Sequence, residues 1–95
     1  TFEKPDLDTF KCLKFAYDAG KIGGLAPTIL NGANEEAVAL LLEEKIKFLQ
    51  IAEIIEECMN VFKENYYDEL TLENIVELDK KVRKYIRNKW ELGVK

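Results

Sequence analysis

An all-α fold, four helices packed as a small bundle, is what this 95-residue sequence predicts. Three observations carry that expectation. Apolar residues recur at three- and four-residue steps in four separate stretches, the spacing that lines one face of a helix. Clusters rich in glycine, proline and small polar residues separate the stretches. Apolar residues make up 47% of the chain and charged residues 34%, enough of each to fill a core and solvate its outside. A chain this short buries a little over ~60% of the surface it exposes when unfolded, so one domain, residues 1–95, is the most it can form.

Pro5 disfavours helix at Lys4, so TFEKPDLDTF opens as an extended lead-in, with Asp6 or Asp8 placed to cap the first helix. Phe10, Leu13, Ala16 and Tyr17 then define that helix from about Leu7 to Ala19, stopped by Gly20. GKIGGLAP is a turn that leaves Pro27 in the first turn of a second helix. That helix runs from about Leu25 to Glu44, with a break allowed near Gly32, where a mid-helix glycine costs ~1 kcal/mol. Ile29, Leu30, Ala33, Ala37, Val38, Leu41 and Leu42 cover more than one stripe of it, which makes it the central helix. IKFLQ reads as a short apolar connector, compatible with extended backbone. A third helix from about Ile51 to Lys63 carries Ile51, Ile54, Ile55, Cys58, Val61 and Phe62 on one face, with Glu53, Glu56, Glu57 and Asn60 opposite. After NYYDEL, Thr71 caps a fourth helix reaching about Leu92, whose Ile75, Leu78, Val82, Tyr85, Ile86 and Trp90 lie close to a heptad seam, and Gly93 ends it.

Several chemistries are disfavoured. The net charge of −4 argues against a nucleic-acid partner, and the basic run from Lys80 to Lys89 reads as the solvated face of a helix. No stretch approaches the ~18 apolar residues of a membrane span, and no signal peptide opens the chain, so a cytoplasmic location is expected. There is no histidine, and Cys12 and Cys58 stand outside any CxxC pattern, at apolar helical positions that suit reduced core thiols. No dinucleotide or P-loop glycine pattern is present, and a helix-helix turn accounts for Gly23 and Gly24 without a phosphate. The carboxylate pairs Glu35–Glu36, Glu43–Glu44 and Glu56–Glu57 diverge around their helices and are expected at the surface.

One polar group differs in geometry. Asn31, Asn34 and Glu35 are spaced by three and four residues and share a helix face. Asn34 can cap a helix restarting after Gly32, with Glu35 in its first turn; the three can form a solvated strip; or they can act together as a functional or interdomain polar cluster.

The run CLKFAYDAGKIGGLAPTILNGANEEAVALLLEEKIKFLQIAEIIEE closely resembles the C-terminal domain of the 1-deoxy-D-xylulose 5-phosphate reductoisomerase family. Its marks are the Cys-Leu-x-x-Ala-Tyr start, the Gly-Gly-x-x-Pro turn and the Leu-Asn-x-Ala-Asn-Glu motif at Leu30 to Glu35. Gly32 stands where alanine is more usual, and Gln50 where an acidic cap is common. The resemblance implies a helical accessory domain of an enzyme of non-mevalonate isoprenoid biosynthesis. That enzyme converts 1-deoxy-D-xylulose 5-phosphate to 2-C-methyl-D-erythritol 4-phosphate with NADPH (NADP) and a divalent metal, Mg or Mn. It further implies as partners the NADPH-binding and catalytic domains of the same enzyme, a homodimeric whole, and a cytoplasmic or plastid-type location. The cofactor and metal sites fall in domains absent here, so no catalytic, cofactor or metal residue is carried over and the chain alone is expected to be inactive. The alternative is a free-standing acidic helical module that binds another protein.

Overall fold

The computed structural model describes residues 7–91, with side chains from residue 11. Four α-helices, α1 (Leu7–Ile22), α2 (Ala26–Leu42), α3 (Gln50–Val61) and α4 (Leu72–Trp90), succeed one another, and a single 3-10 turn at Lys63–Asn65 lies between the last two. The expected lead-in, the capping side chains Asp6 or Asp8, the Phe10 side chain and Gly93 lie outside the described residues. Helix α2 packs against each of the other three, as its broad apolar surface demands. The Cα extents of 42 × 32 × 18 Å make the domain about two helix layers deep, since packed helices sit ~8–10 Å apart. Its core is Ala19 of α1, Ile29, Ala33, Ala37 and Leu40 of α2, Ile54, Ile55 and Cys58 of α3, and Val82 and Ile86 of α4.

Helix α1 does not stop at Gly20. It continues to Ile22 because the left-handed backbone that ends a helix occurs later, at Gly23 (φ 74°) and Gly24 (φ 57°), with the Gly23 N–H donating to the Ala19 carbonyl at 2.9 Å. Gly24 closes on another loop: the Leu25 N–H donates to the Tyr66 carbonyl at 2.8 Å, tying the α1–α2 turn to the α3–α4 connection. Tyr66 is buried and its hydroxyl donates to the Met59 carbonyl at 2.8 Å. The stripe that α1 buries is also not the one its sequence advertises. Cys12, Phe15, Ala19 and Ile22 pack on the core, whereas Leu13 and Tyr17 are 64% and 66% exposed and Ala16 is exposed beside them.

Helix α2 starts with Pro27 in its first turn, as expected, and runs through Gly32 without a break. Gly32 is buried, and a Cβ added there would lie 2.8 Å from Asp79 Oδ1 and 3.6 Å from Val82 Cγ1, so the missing side chain is where α4 comes close. The helix ends in a Schellman motif: Lys45 N–H bonds to Leu40 O and Glu44 N–H to Leu41 O, both at 2.9 Å, with Glu44 itself at φ 62°. That reversal buries Ile46 but leaves Leu42, Phe48 and Leu49 exposed at the turn. The IKFLQ connector is a pair of turns instead of extended backbone. Gln50 Oε1 accepts from the Lys47 N–H at 2.7 Å, the acceptor role an acidic cap would fill.

Helix α3 ends at Val61, not Lys63, and the 3-10 turn takes the remainder. Its buried face, Ile51, Ile54, Ile55 and Cys58, matches the expected stripe, but Val61 is half exposed. Thr71 caps α4 as expected, accepting from the Asn74 N–H at 3.1 Å, while the Asn74 side-chain amide donates to the Glu69 carbonyl. Leu78, Val82, Ile86 and Trp90 form the buried α4 seam, with Ile75 and Tyr85 packed at its edges.

Candidate functional site

The three residues singled out in the sequence divide between two sides of α2. None caps a helix, because α2 is continuous through them. Glu35 leans toward α4 and accepts from Arg83 Nη2 at 2.6 Å. Asn34 points to the α1 side, where it lines an apolar groove of about 420 Å³ with Cys12, Leu13, Ala16 and Leu30. Asn31 borders that groove and also a second one, of about 440 Å³, between α2 and α4, lined by Thr28, Ile75, Val76, Lys80 and Arg83. Pro27 and Asn31 are common to both, so they form a ridge with a groove on each flank. The Asn31 and Asn34 side chains are exposed and have no hydrogen-bond partner among the described residues.

Beside the ridge, a ladder of charges joins α2 to α4. Arg83 reaches Glu35, Glu36 at 3.2 Å and Asp79 at 2.9 Å; Arg87 reaches Glu36 at 2.5 Å and both oxygens of Glu43 at 2.9 Å. Glu36 is the least exposed member, 13% by side chain, and accepts from both guanidinium groups. Apart from Glu35, these residues were not among the sequence candidates. The basic run is not simply a solvated face, and Glu36 and Glu57 are not simple surface carboxylates, because the tertiary fold pairs them across helices. The available signal was the four-residue spacing of Arg83 and Arg87 facing the seven-residue spacing of Glu36 and Glu43.

On the opposite side of α4, Glu57 accepts from both Tyr85 and Lys89, and Phe62 stacks edge-on against Tyr85 at 5.8 Å. Burial pushes the Glu57 carboxyl up, but the hydrogen bonds from Lys89 and Tyr85 outweigh it and hold it below its ordinary range. The Trp90 indole N–H adds a weaker pull without reaching hydrogen-bond geometry. Glu43 is likewise held low by its hydrogen bonds from Arg87, against a smaller opposing effect of burial. Tyr85 is pushed up to about 12 by its bond to Glu57 and by burial. Cys58 is pushed up to about 12 by burial and by the neighbouring Glu57 charge, which leaves it a neutral core thiol and no nucleophile.

These shifts fix a pH profile. Folding lowers the pKa of Glu43 and Glu57, so their contribution is complete above the unfolded carboxyl value of ~4.3 and disappears as pH falls through the lower folded value. Tyr85 runs the other way: its contribution is complete below the unfolded value of ~10 and is lost as pH rises toward about 12. Urea midpoints measured from pH 3 to 11 are expected to show a plateau between about 5 and 8 and a fall on each side, the alkaline fall beginning with the buried Cys58 thiol, whose unfolded value is ~8.5.

Among the described residues no group of His, Cys, Asp or Glu is placed to hold a metal ion, and no helix is long and apolar enough to cross a membrane. Three of the turn amides that a phosphate would need are already committed, Gly23 to Ala19, Leu25 to Tyr66 and Ala26 to Gly23.

Comparison with known proteins gives one consistent result. A sequence model described as the DXP reductoisomerase C-terminal domain matches residues 1–85. The 1-deoxy-D-xylulose 5-phosphate reductoisomerase of Clostridium botulinum (strain Eklund 17B / Type B) is 71% identical over 86 residues, covering 90% of this chain and 22% of that protein. Its counterpart in Clostridium perfringens (strain 13 / Type A) is 66% identical over 90 residues, 95% of this chain and 23% of that protein. The chain therefore spans about a fifth of the length of the curated relatives it matches. No solved structure matches.

Proposed function

This chain belongs to the DXP reductoisomerase C-terminal domain family, and from that premise we propose that it is the helical accessory domain of such an enzyme. The whole enzyme converts 1-deoxy-D-xylulose 5-phosphate to 2-C-methyl-D-erythritol 4-phosphate using NADPH and a divalent metal ion. The observation that carries the reading is the family match across residues 1–85 in a chain one-fifth the length of its relatives. The described residues fit neither NADPH nor the metal: no acidic group converges on a cation, and the Gly23, Leu25 and Ala26 amides of the glycine turn are bonded within the bundle. Both groups belong to the rest of the enzyme, and no step of the reaction runs through this domain.

Its role is to brace the catalytic part. Glu35 contributes inside the bundle, through Arg83, and Asn31 and Asn34 contribute outward, as amides on a rigid helix next to apolar grooves. Rigid placement matters in such an enzyme because a shift of ~1 Å in a catalytic group can cost ~100-fold in rate. Two measurements test the reading. Calorimetric titration of the 95-residue chain with NADPH and with 1-deoxy-D-xylulose 5-phosphate is expected to give no heat. Removing these residues from the full-length enzyme is expected to lower turnover at least tenfold and to lower its melting temperature. Undiminished turnover and melting in the truncated enzyme would overturn the bracing role and favour an independent protein-binding module.

A further inference from the structure

We infer that the outer stripe of α1, together with the Pro27–Asn31–Asn34 ridge of α2, is the surface on which the larger, amino-terminal part of a reductoisomerase chain seats; this rests on the function proposed above. Helix α1 carries two apolar stripes and the bundle uses only one. Cys12, Phe15, Ala19 and Ile22 serve the core, while Leu13, Ala16 and Tyr17 line a face that none of the described residues covers. A helix closing one side of a small bundle needs a single stripe, and a second one alongside a groove marks an interaction surface.

The surface has a legible chemistry. The groove between α1 and α2 has apolar walls at Leu13, Ala16 and Leu30 and an amide rim at Asn31 and Asn34. Such a rim offers both donors and acceptors and suits main-chain N–H and C=O groups of an inserted segment, with an apolar side chain filling the groove. Beyond the ridge, Arg83 is saturated by Glu35, Glu36 and Asp79, but Lys80 in the second groove makes no ion pair among the described residues.

Two observations identify the occupant as the same enzyme's own polypeptide. Most of each relative's length lies outside the matched region, and the matched family is that of the C-terminal domain, so the remainder precedes α1. Polypeptide entering at the start of α1 also arrives close by, since six residues of helix separate Leu7 from Leu13, roughly 9 Å along the axis. Two other sets of exposed apolar residues, Leu42, Phe48 and Leu49 at the α2–α3 turn and Tyr67, Leu70 and Leu72 at the approach to α4, line neither groove.

Hydroxyl-radical footprinting of a full-length reductoisomerase carrying these residues tests the assignment, with exposed side chains of the same domain as internal references. After correction for intrinsic reactivity, Leu13 and Tyr17 are expected to be oxidised at least fivefold more slowly than Phe48 and Tyr67. Introducing Leu13→Asp, at a position 64% exposed in the domain, is expected to restore Tyr17 labelling with helical content unchanged. Shielding of Phe48 and Leu49 in place of Leu13 and Tyr17 would overturn this surface while leaving the accessory-domain reading intact. Free labelling at all four positions would overturn both. Protection of Tyr17 that is lost on dilution to protomers, or that survives Leu13→Asp, would assign the face to a second copy or to another contact and overturn the proposal.

Discussion

Replacing Gly24 with alanine is expected to lower domain stability by about 3 kcal/mol, combining a left-handed backbone penalty of ~1–2 kcal/mol with the loss of a buried backbone hydrogen bond. In a domain of this size that is a drop of roughly 15 °C in melting temperature. The geometry leaves no route to relief. The new Cβ would sit 2.3 Å from the Tyr66 carbonyl oxygen, which is main chain and is the same atom that accepts from the Leu25 N–H. Two neighbouring glycines make the control. Gly23 has φ 74° but open space around it, so Gly23→Ala carries the conformational penalty alone, about 1 kcal/mol. Gly20 lies inside α1 with nothing within 4 Å, and Gly20→Ala is expected to stabilise by about 0.5–1 kcal/mol. Thermal melts of the three variants read the order directly. Equal losses at Gly23 and Gly24 would mean that the loop-to-loop contact contributes nothing.

The second large effect is expected at Glu36. Glu36→Ala removes the acceptor shared by Arg83 and Arg87 and should cost about 1–2 kcal/mol, less than a fully buried charged pair because the guanidinium groups keep other partners and some solvent. Glu35→Ala is the comparison: Glu35 is 56% exposed, and its loss is expected to cost under ~0.5 kcal/mol. A double-mutant cycle of Glu36 with Arg87 should return a coupling near ~1 kcal/mol that persists in high salt, since a pair this sheltered is poorly screened. A coupling of zero would leave the α2–α4 alignment to Gly32 and the apolar seam alone. Neither variant touches the grooves' apolar walls, so any effect on the whole enzyme would come through the position of α4.

The helices and several of their ends were legible in the residue order because they are local. Three- and four-residue periodicity, Thr71 as a cap and Pro27 in a first turn all depend on neighbours within about one turn of helix. The helix stop was harder, since Gly20 and Gly23 look alike in a sequence and differ only in which one adopts positive φ. Family membership was legible for a similar reason, the LNGANE stretch and the GGLAP turn being contiguous patterns. The tertiary structure settled the matters that depend on distant partners. Glu36 meets Arg83 and Arg87 across 47 and 51 residues, and no local rule joins those positions. Gly32 proved to be a place of close approach by α4 rather than a break, because its consequence lies in Asp79 and Val82. Most of all, α1 showed its apolar spacing clearly at Leu13, Ala16 and Tyr17, yet the bundle buried the stripe beside it. Periodicity reports that a face avoids water; only packing, through the helices that compete to cover it, decides whether that face is covered by the domain's own core.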